Sequence, residues 1–363
     1  PDWIYGRMGD TEILSEVSAH RSEKIAREHF LYPQMISLFL EGVPPFEPPP
    51  TLLIIVKKEE DVEKFLPREY RGLPVTSEYV PGMFLDQAVI ACSSFEKIHS
   101  HNRYRHNYAH RVLEQFGYPV WFMEGLTEVL ASMEIKRGKT QIGLIQDHQL
   151  DQIQRSGFLP FPQFFQTFPE HGPDDYRKRE RYYEQAMLLT HYFLFGVPTE
   201  ERSTFFQFIN SDFSYQGSEE EFQDWFGYDY SDLQARLEKY ISRRTYPFLT
   251  FHLKDLLDWS GPDFEALSPL RKQALMARAQ VAAGYLDLAY FGFHTALQEK
   301  VHEPLIYRSA YFLYYQWNDE DRALQMAETA IDQNCLSADF LRAIQMHRPT
   351  IVTGETGARS PNW

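Results

Sequence analysis

Apolar residues along positions 11–40 recur at helical spacing and predict an amphipathic helix. The positions that carry this pattern are Ile13, Val17, Ile25, Phe30, Met35, Leu38 and Leu40. A proline-rich stretch at residues 44–50 indicates a loop after this helix. The apolar run at residues 51–56 (TLLIIV) is rich in β-branched residues and predicts a buried strand, and the charged residues 59–66 predict a short helical piece.

Two further apolar runs predict a pair of strands, at residues 82–85 (GMFL) and 88–92 (AVIAC). Asp86 and Gln87 lie between them and indicate a tight turn. The first hundred residues are therefore expected to form a small sheet packed by helices. Residues 100–250 are expected to be mostly helical, so the sequence predicts the α+β class.

A repeat with a period of 34 residues is visible near the C-terminus. Asp287, Ala289 and Ala296 recur as Asp321, Ala323 and Ala330, and 34 residues is the period of tetratricopeptide repeats. Small residues at these positions would let paired helices approach closely. An ordinary helical subdomain is the alternative, since two units and few matching positions are present.

Charge and hydropathy limit the partners that the chain can have. The 36 Lys and Arg residues against 51 Asp and Glu residues give a net charge of −15, which disfavours nucleic acid. The basic run at residues 177–181 leads into a helical pattern and is interpreted as a solvated helix face. No apolar run reaches the roughly eighteen residues of a membrane span, so none is expected.

The two cysteines, Cys92 and Cys335, lie far apart in apolar surroundings and are interpreted as buried thiols rather than as a disulfide framework. The sequence begins at Pro1 rather than at methionine, which is compatible with an upstream segment that is cleaved, and so with export, and also with one that is simply left out of the sequence. Neither feature decides the compartment.

The candidate chemistry lies in residues 105–128. His106 and His110 are four residues apart, so on a helix their imidazoles lie one turn apart on the same face. Pro119 indicates a break, after which a second helix can bring Glu124 to the histidines as a third ligand of a tetrahedral Zn²⁺ site. Glu128 follows one turn later and is placed to accept the spare N–H of a liganding histidine.

These residues resemble the gluzincin, or thermolysin-like, zinc metallopeptidases. The likeness is carried by the His106-x-x-x-His110 helix and by the segment PVWFMEGLTE at residues 119–128, which contains a Trp-x-x-Glu-Gly motif. It looks closest to a family of bacterial uncharacterised peptidase-like domains that are often exported and sometimes followed by tetratricopeptide repeats. The resemblance implies His106, His110 and Glu124 as metal ligands and Glu128 as their supporting carboxylate.

Asn107 departs from the His-Glu-x-x-His pattern of the active enzymes. The glutamate of that pattern is the general base for the zinc-bound water, and an amide has no usable basicity. We therefore expect a zinc-binding pseudopeptidase that binds protein or peptide. The alternatives are an active peptidase with another base, a metal-free scaffold, or a natural peptidase in which Asn107 is an introduced substitution.

Downstream aromatic residues offer weaker candidates. Tyr182, Tyr183 and His191 could support an oxyanion, as a downstream Tyr or His does in gluzincins, and Tyr183 is taken as the candidate. For each of the three, the sequence favours a core or surface position over this role. The Phe-rich segment at residues 158–168 either lines a peptide groove or is core packing.

The expected domain organisation follows from these patterns. Residues 1–260 form the gluzincin-like domain, with its sheet at about 50–95 and the zinc-site helices at about 100–135. A tetratricopeptide-like helical region follows at residues 262–347, and residues 348–363 form a loose tail. The resemblance alone favours export to the periplasm or the cell surface.

Overall fold

The computed structural model describes residues 3–9, 11–40, 51–68, 77–81, 88–93, 103–136, 138–145, 147–166, 176–211, 218–243, 245–252, 260–300 and 304–334. The chain divides into two compact units. The first unit comprises Pro1–Phe30, Glu47–Ser100 and Trp259–Trp363, and the second comprises Leu31–Phe46 and His101–Asp258.

Strands and helices are numbered in chain order. The strands are β1 Ile4–Met8, β2 Thr11–Ser15, β3 Thr51–Val56, β4 Ser77–Pro81, β5 Ala88–Ser93, β6 Glu134–Lys136, β7 Lys139–Ile142, β8 Leu249–His252 and β9 Phe264–Ala266. The α-helices are α1 Ala19–Phe39, α2 Arg103–Leu113, α3 Val120–Ala131, α4 Asp151–Ser156, α5 Phe161–Gln166, α6 Tyr176–His191, α7 Thr199–Ile209, α8 Glu219–Phe226, α9 Tyr230–Ile241, α10 Pro269–Ala282, α11 Leu286–Gln298, α12 Pro304–Gln316 and α13 Glu320–Asp332. The fold is therefore mixed α and β.

The first unit contains a mixed sheet with the strand order β4-β5-β3-β2-β1-β9. Strand β3 lies parallel to both β2 and β5, and all six of its residues are buried. A continuous apolar run is what a strand covered on both faces requires. The buried strand predicted at residues 51–56 is confirmed.

The structure describes only one of the two strands predicted at residues 82–85 and 88–92. The strand predicted at residues 88–92 is present as β5. The strand at residues 82–85 and the turn at Asp86-Gln87 lie outside the described residues. The antiparallel partner of β5 is β4, which the sequence pattern did not indicate.

The helix predicted over residues 11–40 is wrong in its first part. Residues Thr11–Ser15 form strand β2, which pairs with β1 on one side and β3 on the other, and α1 begins only at Ala19. Over so short a segment, the apolar residues Ile13 and Leu14 fit the spacing of a helix as well as that of a strand. Pairing with strands on both sides decides the conformation, because it satisfies the backbone hydrogen bonds that a lone segment would leave to water.

Helices α10 to α13 form two helical hairpins, α10 with α11 and α12 with α13. The 34-residue recurrence matches structural positions. Asp287 and Asp321 are the second residues of α11 and α13, and the alanines of the repeat occupy equivalent buried sites in these two helices. The tetratricopeptide identity of the hairpins stays a prediction.

Helix α10 also packs on the sheet of the first unit. Leu275 and Ala279 belong to the same buried cluster as Leu14, Leu52 and Val89 of the strands. Because of this packing, the division into units differs from the predicted domain boundary at residues 260–262, and that boundary stays a prediction.

The second unit is built around the packed helices α3 and α6 and an aromatic core. Phe161, Phe164 and Phe165 are buried, and the ring of Trp121 contacts Phe165 with 5.1 Å between centroids. The Phe-rich segment at residues 158–168 therefore provides core packing in its described part. The expectation of a mostly helical region missed the sheet of β6, β7 and β8, whose strands are only three or four residues long.

Two sequence-based expectations concern single features. Cys92 is buried, as predicted, and Cys335 lies outside the described residues. In the ranges described above, no helix is both long enough and apolar enough to cross a membrane.

Candidate metal centre

Helices α2 and α3 are joined by a turn that reverses the chain. A short 3-10 helix, Glu114–Phe116, continues α2, and Gly117 then takes a left-handed conformation with φ of 61°. Pro119 precedes the first residue of α3, and its carbonyl accepts hydrogen bonds from the amides of Phe122 and Met123. The predicted helix, break and second helix are all present.

Arg105 fixes the open end of this helix pair. Its guanidinium donates to the carbonyl of Met133, just beyond the C-terminus of α3, and its carbonyl accepts from the hydroxyl of Tyr32 at 2.9 Å. The start of α2 therefore lies beside the end of α3, so the two helices are antiparallel. This antiparallel arrangement brings the middle of α3 opposite His106 and His110.

Three side-chain atoms converge between the helices. The Nε2 atom of His110 lies 3.1 Å from Nε2 of His106 and 2.9 Å from Oε2 of Glu124. The third separation, between His106 Nε2 and Glu124 Oε2, is 3.6 Å. Among the described residues, these three form the one group of His, Cys, Asp and Glu side chains with metal-binding spacing.

The spacing of these atoms fits a tetrahedral metal ion. With metal–nitrogen and metal–oxygen bonds of about 2.0–2.1 Å, neighbouring ligand atoms in a tetrahedron lie about 3.3 Å apart. The three observed separations, 2.9, 3.1 and 3.6 Å, lie on both sides of this value. Two imidazoles and one carboxylate are also a donor set that suits Zn²⁺.

Glu128 contacts the far side of the first histidine. Its Oε1 lies 3.0 Å from Nδ1 of His106. Since a carboxylate only accepts, Nδ1 carries the proton, and in the neutral ring Nε2 then presents its lone pair toward His110 and Glu124. This is the contact predicted for Glu128 from its position one turn after Glu124.

Burial differs among the members of the site. Glu124 is 7% exposed, whereas His106 and His110 are intermediate. A buried carboxylate needs a partner of opposite charge or several donors. His110 meets part of this need in the tautomer whose Nε2 carries the proton and donates to Glu124, and a bound cation would meet it more fully.

The three downstream candidates have different surroundings. Tyr183 lies against His106, with 6.2 Å between ring centroids in an edge-to-face arrangement. Tyr182 is buried against Phe164, and burial, followed by the neighbouring charge of Glu124, raises the pKa of its hydroxyl. His191 is buried with both ring nitrogens hydrogen-bonded, to Gly143 and Tyr240, so it has a structural role and the oxyanion role considered for it is not supported.

Asn107 follows His106 in α2 and is partly exposed. It places an amide at the helix position that follows His106. The chain therefore combines three converging side-chain atoms that could hold a metal ion with a neighbouring side chain that cannot act as a base.

Two residues that hold this site were not indicated by the sequence. Arg105 is adjacent to His106 and could have been considered as an anchor for α2. Tyr32 is 73 residues away from Arg105 and had no local signal. Comparison of the chain with protein-family models and with curated proteins finds no match.

Proposed function

We propose that the chain is a zinc-binding protein of the gluzincin type that lacks peptidase activity and acts by binding protein or peptide. His106, His110 and Glu124 are the proposed ligands, and Glu128 orients His106. The proposal rests above all on the convergence of His106 Nε2, His110 Nε2 and Glu124 Oε2 within 3.6 Å of one another.

The surroundings of the three atoms support metal binding over a chance cluster. The His106 ring is held by Glu128 at 3.0 Å, and a carboxylate of this kind fixes the tautomer that a ligand needs. Glu124 is nearly buried, so its charge is costly unless a cation or a set of donors neutralises it. Bound zinc would supply a Lewis acid that polarises a substrate carbonyl or a water molecule.

The absence of peptidase activity is inferred from Asn107. General base catalysis commonly contributes a factor of about 10² to 10⁴, and an asparagine amide cannot take up the proton. A peptide that reaches the site is therefore expected to be held without being cleaved. This is why we favour a binding role over a catalytic one.

Metal content tests the first half of the proposal. Purified protein, never exposed to chelator, is expected to contain about one zinc per chain. His110→Ala should abolish high-affinity binding, and His252→Ala, which changes an exposed histidine on β8, should leave it unchanged. Wild-type protein that neither contains zinc nor takes it up would favour the metal-free scaffold.

Cleavage assays test the second half. Wild-type protein loaded with zinc is expected to leave casein intact, and Asn107→Glu is expected to confer cleavage that chelator abolishes. Chelator-sensitive cleavage by the wild type would favour the alternative of an active peptidase with another base. Asn107→Gln is the matched control, because it lengthens the side chain without adding a carboxylate.

Peptide arrays test binding without cleavage. The zinc-loaded wild type is expected to retain a subset of unstructured peptides, and the apo protein and His110→Ala are expected to retain fewer of them. Equal retention by all three proteins would separate peptide binding from the metal site.

A further inference from the structure

Helix α3 presents different faces to two neighbouring helices. Glu124 points to α2, where it meets His110. Gly125 is the next residue, about 100° further around the helix, and it faces α6. The ligand and the glycine therefore lie on two adjacent faces of the same turn.

At Gly125 the backbones of α3 and α6 come unusually close. A Cβ atom at this position would lie 2.2 Å from the carbonyl oxygen of Ala186 and 2.3 Å from Oγ1 of Thr190. Ordinary van der Waals contact begins near 3.4 Å. The first of the two atoms belongs to the backbone of Ala186, which is fully buried in the C-terminal half of α6, so it cannot turn away as a flexible side chain could.

We propose that Gly125 is a positioning residue for the metal centre, setting the distance between α3 and α6 at which Glu124 and Glu128 meet the histidines. The inference rests on the proposed function, since it assigns a role toward the same site. Gly125 itself contributes no ligand atom.

The expected displacement is large compared with the tolerance of such a site. To relieve the contact with Ala186, a methyl group at position 125 must separate the two backbones by about 1 Å. A functional constellation generally has to be held within about 0.5 Å. Glu124 and Glu128 belong to the helix that would move, so both carboxylates would lose their present distances to the rings of α2.

The test compares two glycine-to-alanine variants of the full-length protein. Gly125→Ala is expected to weaken zinc binding at least about tenfold, measured by competition with a chromophoric chelator. Gly292→Ala is the matched control. Gly292 also lies within a helix, α11, and its Cβ would meet the Cβ of Ala277 at 2.8 Å, but it belongs to the first unit. The zinc affinity of the Gly292→Ala variant should equal that of the wild type.

A second variant covers the case in which Gly125→Ala does not fold. The hydroxyl of Thr190 is buried and has no hydrogen-bond partner among the described residues. Thr190→Val therefore removes no hydrogen bond, but it presses a larger methyl group on Gly125, and we expect zinc binding to weaken by about threefold. Wild-type zinc affinity in folded Gly125→Ala, or in Thr190→Val if Gly125→Ala is unfolded, would overturn the proposal.

A readout without metal separates this inference from the proposed function. Long-range ¹H–¹⁵N spectra of the histidine rings report which nitrogen of His106 carries the proton. In apo protein, Gly125→Ala is expected to change the His106 signals, because Glu128 moves with α3, and Gly292→Ala is not. If the wild type binds no zinc and yet this difference is observed, the proposed function fails and the positioning role stands. If the spectra of both variants match the wild type, the positioning role fails.

Discussion

The buried side chain of His191 should make the free energy of unfolding depend on pH, and this prediction is independent of metal binding. Its ring lies at the C-terminal end of α6 and is fully buried. Nε2 lies 2.7 Å from the carbonyl oxygen of Gly143, which can only accept, so Nε2 carries the proton. Nδ1 accepts from the hydroxyl of Tyr240 at 2.9 Å. The neutral ring therefore satisfies both of its nitrogens.

Burial lowers the pKa of His191 from 6.5 to about 4, and the backbone carbonyls of Gly143 and Pro247 oppose this shift only in part. Between these two pH values the unfolded chain binds a proton at this residue and the folded chain does not. The free energy of unfolding should therefore be unaffected by His191 above pH 6.5 and should fall as the pH drops from 6.5 to 4. The loss is about 3 kcal/mol, since each pKa unit corresponds to about 1.4 kcal/mol.

Urea unfolding at pH 7.0, 5.5 and 4.5 measures this loss, and a variant isolates it from the carboxylates that also titrate. His191→Gln keeps an N–H donor for Gly143 but cannot be protonated. It should be less stable than the wild type at pH 7.0, by about 1–3 kcal/mol for the imperfect replacement of a buried side chain. Its stability should also fall less steeply with acid than that of the wild type.

The control is His252→Gln, which removes an exposed histidine on β8 and should leave the pH dependence unchanged. Equal dependence on pH in the wild type and in His191→Gln would refute the reasoning. It would mean that the buried ring accepts a proton at no cost, or that its surroundings open before it titrates.

Three further predictions follow from the geometry. Glu128→Ala should weaken zinc binding by about 10- to 100-fold without abolishing it, because Glu128 orients His106 rather than binding the ion; unchanged affinity in equilibrium dialysis would contradict this role. Asn107→Glu should give chelator-sensitive cleavage of casein if the rest of the site is competent, whereas equal cleavage by Asn107→Gln would show that a carboxylate is not what limits activity. Leu275→Ala should lower the free energy of unfolding by about 2–5 kcal/mol in urea titrations, because Leu275 is 1% exposed where α10 meets the sheet, and a loss below about 1 kcal/mol would argue against that packing.

The cluster of His106, His110 and Glu124 was largely predictable because its features are local, while its role as a metal centre stays a prediction. Two histidines four residues apart share a helix face whatever the remainder of the fold, and Pro119 marks the start of the second helix. The meeting of His106, His110 and Glu124 follows from this short helix pair, whereas the exact distances among them depend also on the contacts that hold the two helices in the fold. The same holds for the C-terminal repeat, where a 34-residue period corresponds to equivalent positions in α11 and α13.

Other parts of the site could not be predicted from the local sequence. Tyr32 anchors Arg105 across 73 residues. Gly125 carries no local sign of its contact with Ala186, because glycine in a helix is equally compatible with open space and with close packing. The sequence named Tyr183 as the candidate beside Tyr182 and His191 without a local feature that separates them, and only the fold shows that Tyr183 lies beside His106 while His191 is held by Gly143 and Tyr240.

The sequence by itself determined which segments are buried and which residues can share a helix face, since both follow from spacing along a few turns. Only the tertiary structure decided that residues 11–15 form a strand, that β1 and β9 pair with each other across more than 250 residues, and that α6 packs against α3. The physical reason is that backbone pairing and helix packing are contacts between segments distant in sequence. Their free energy can exceed the conformational preference of a five-residue segment, and a local pattern does not contain it.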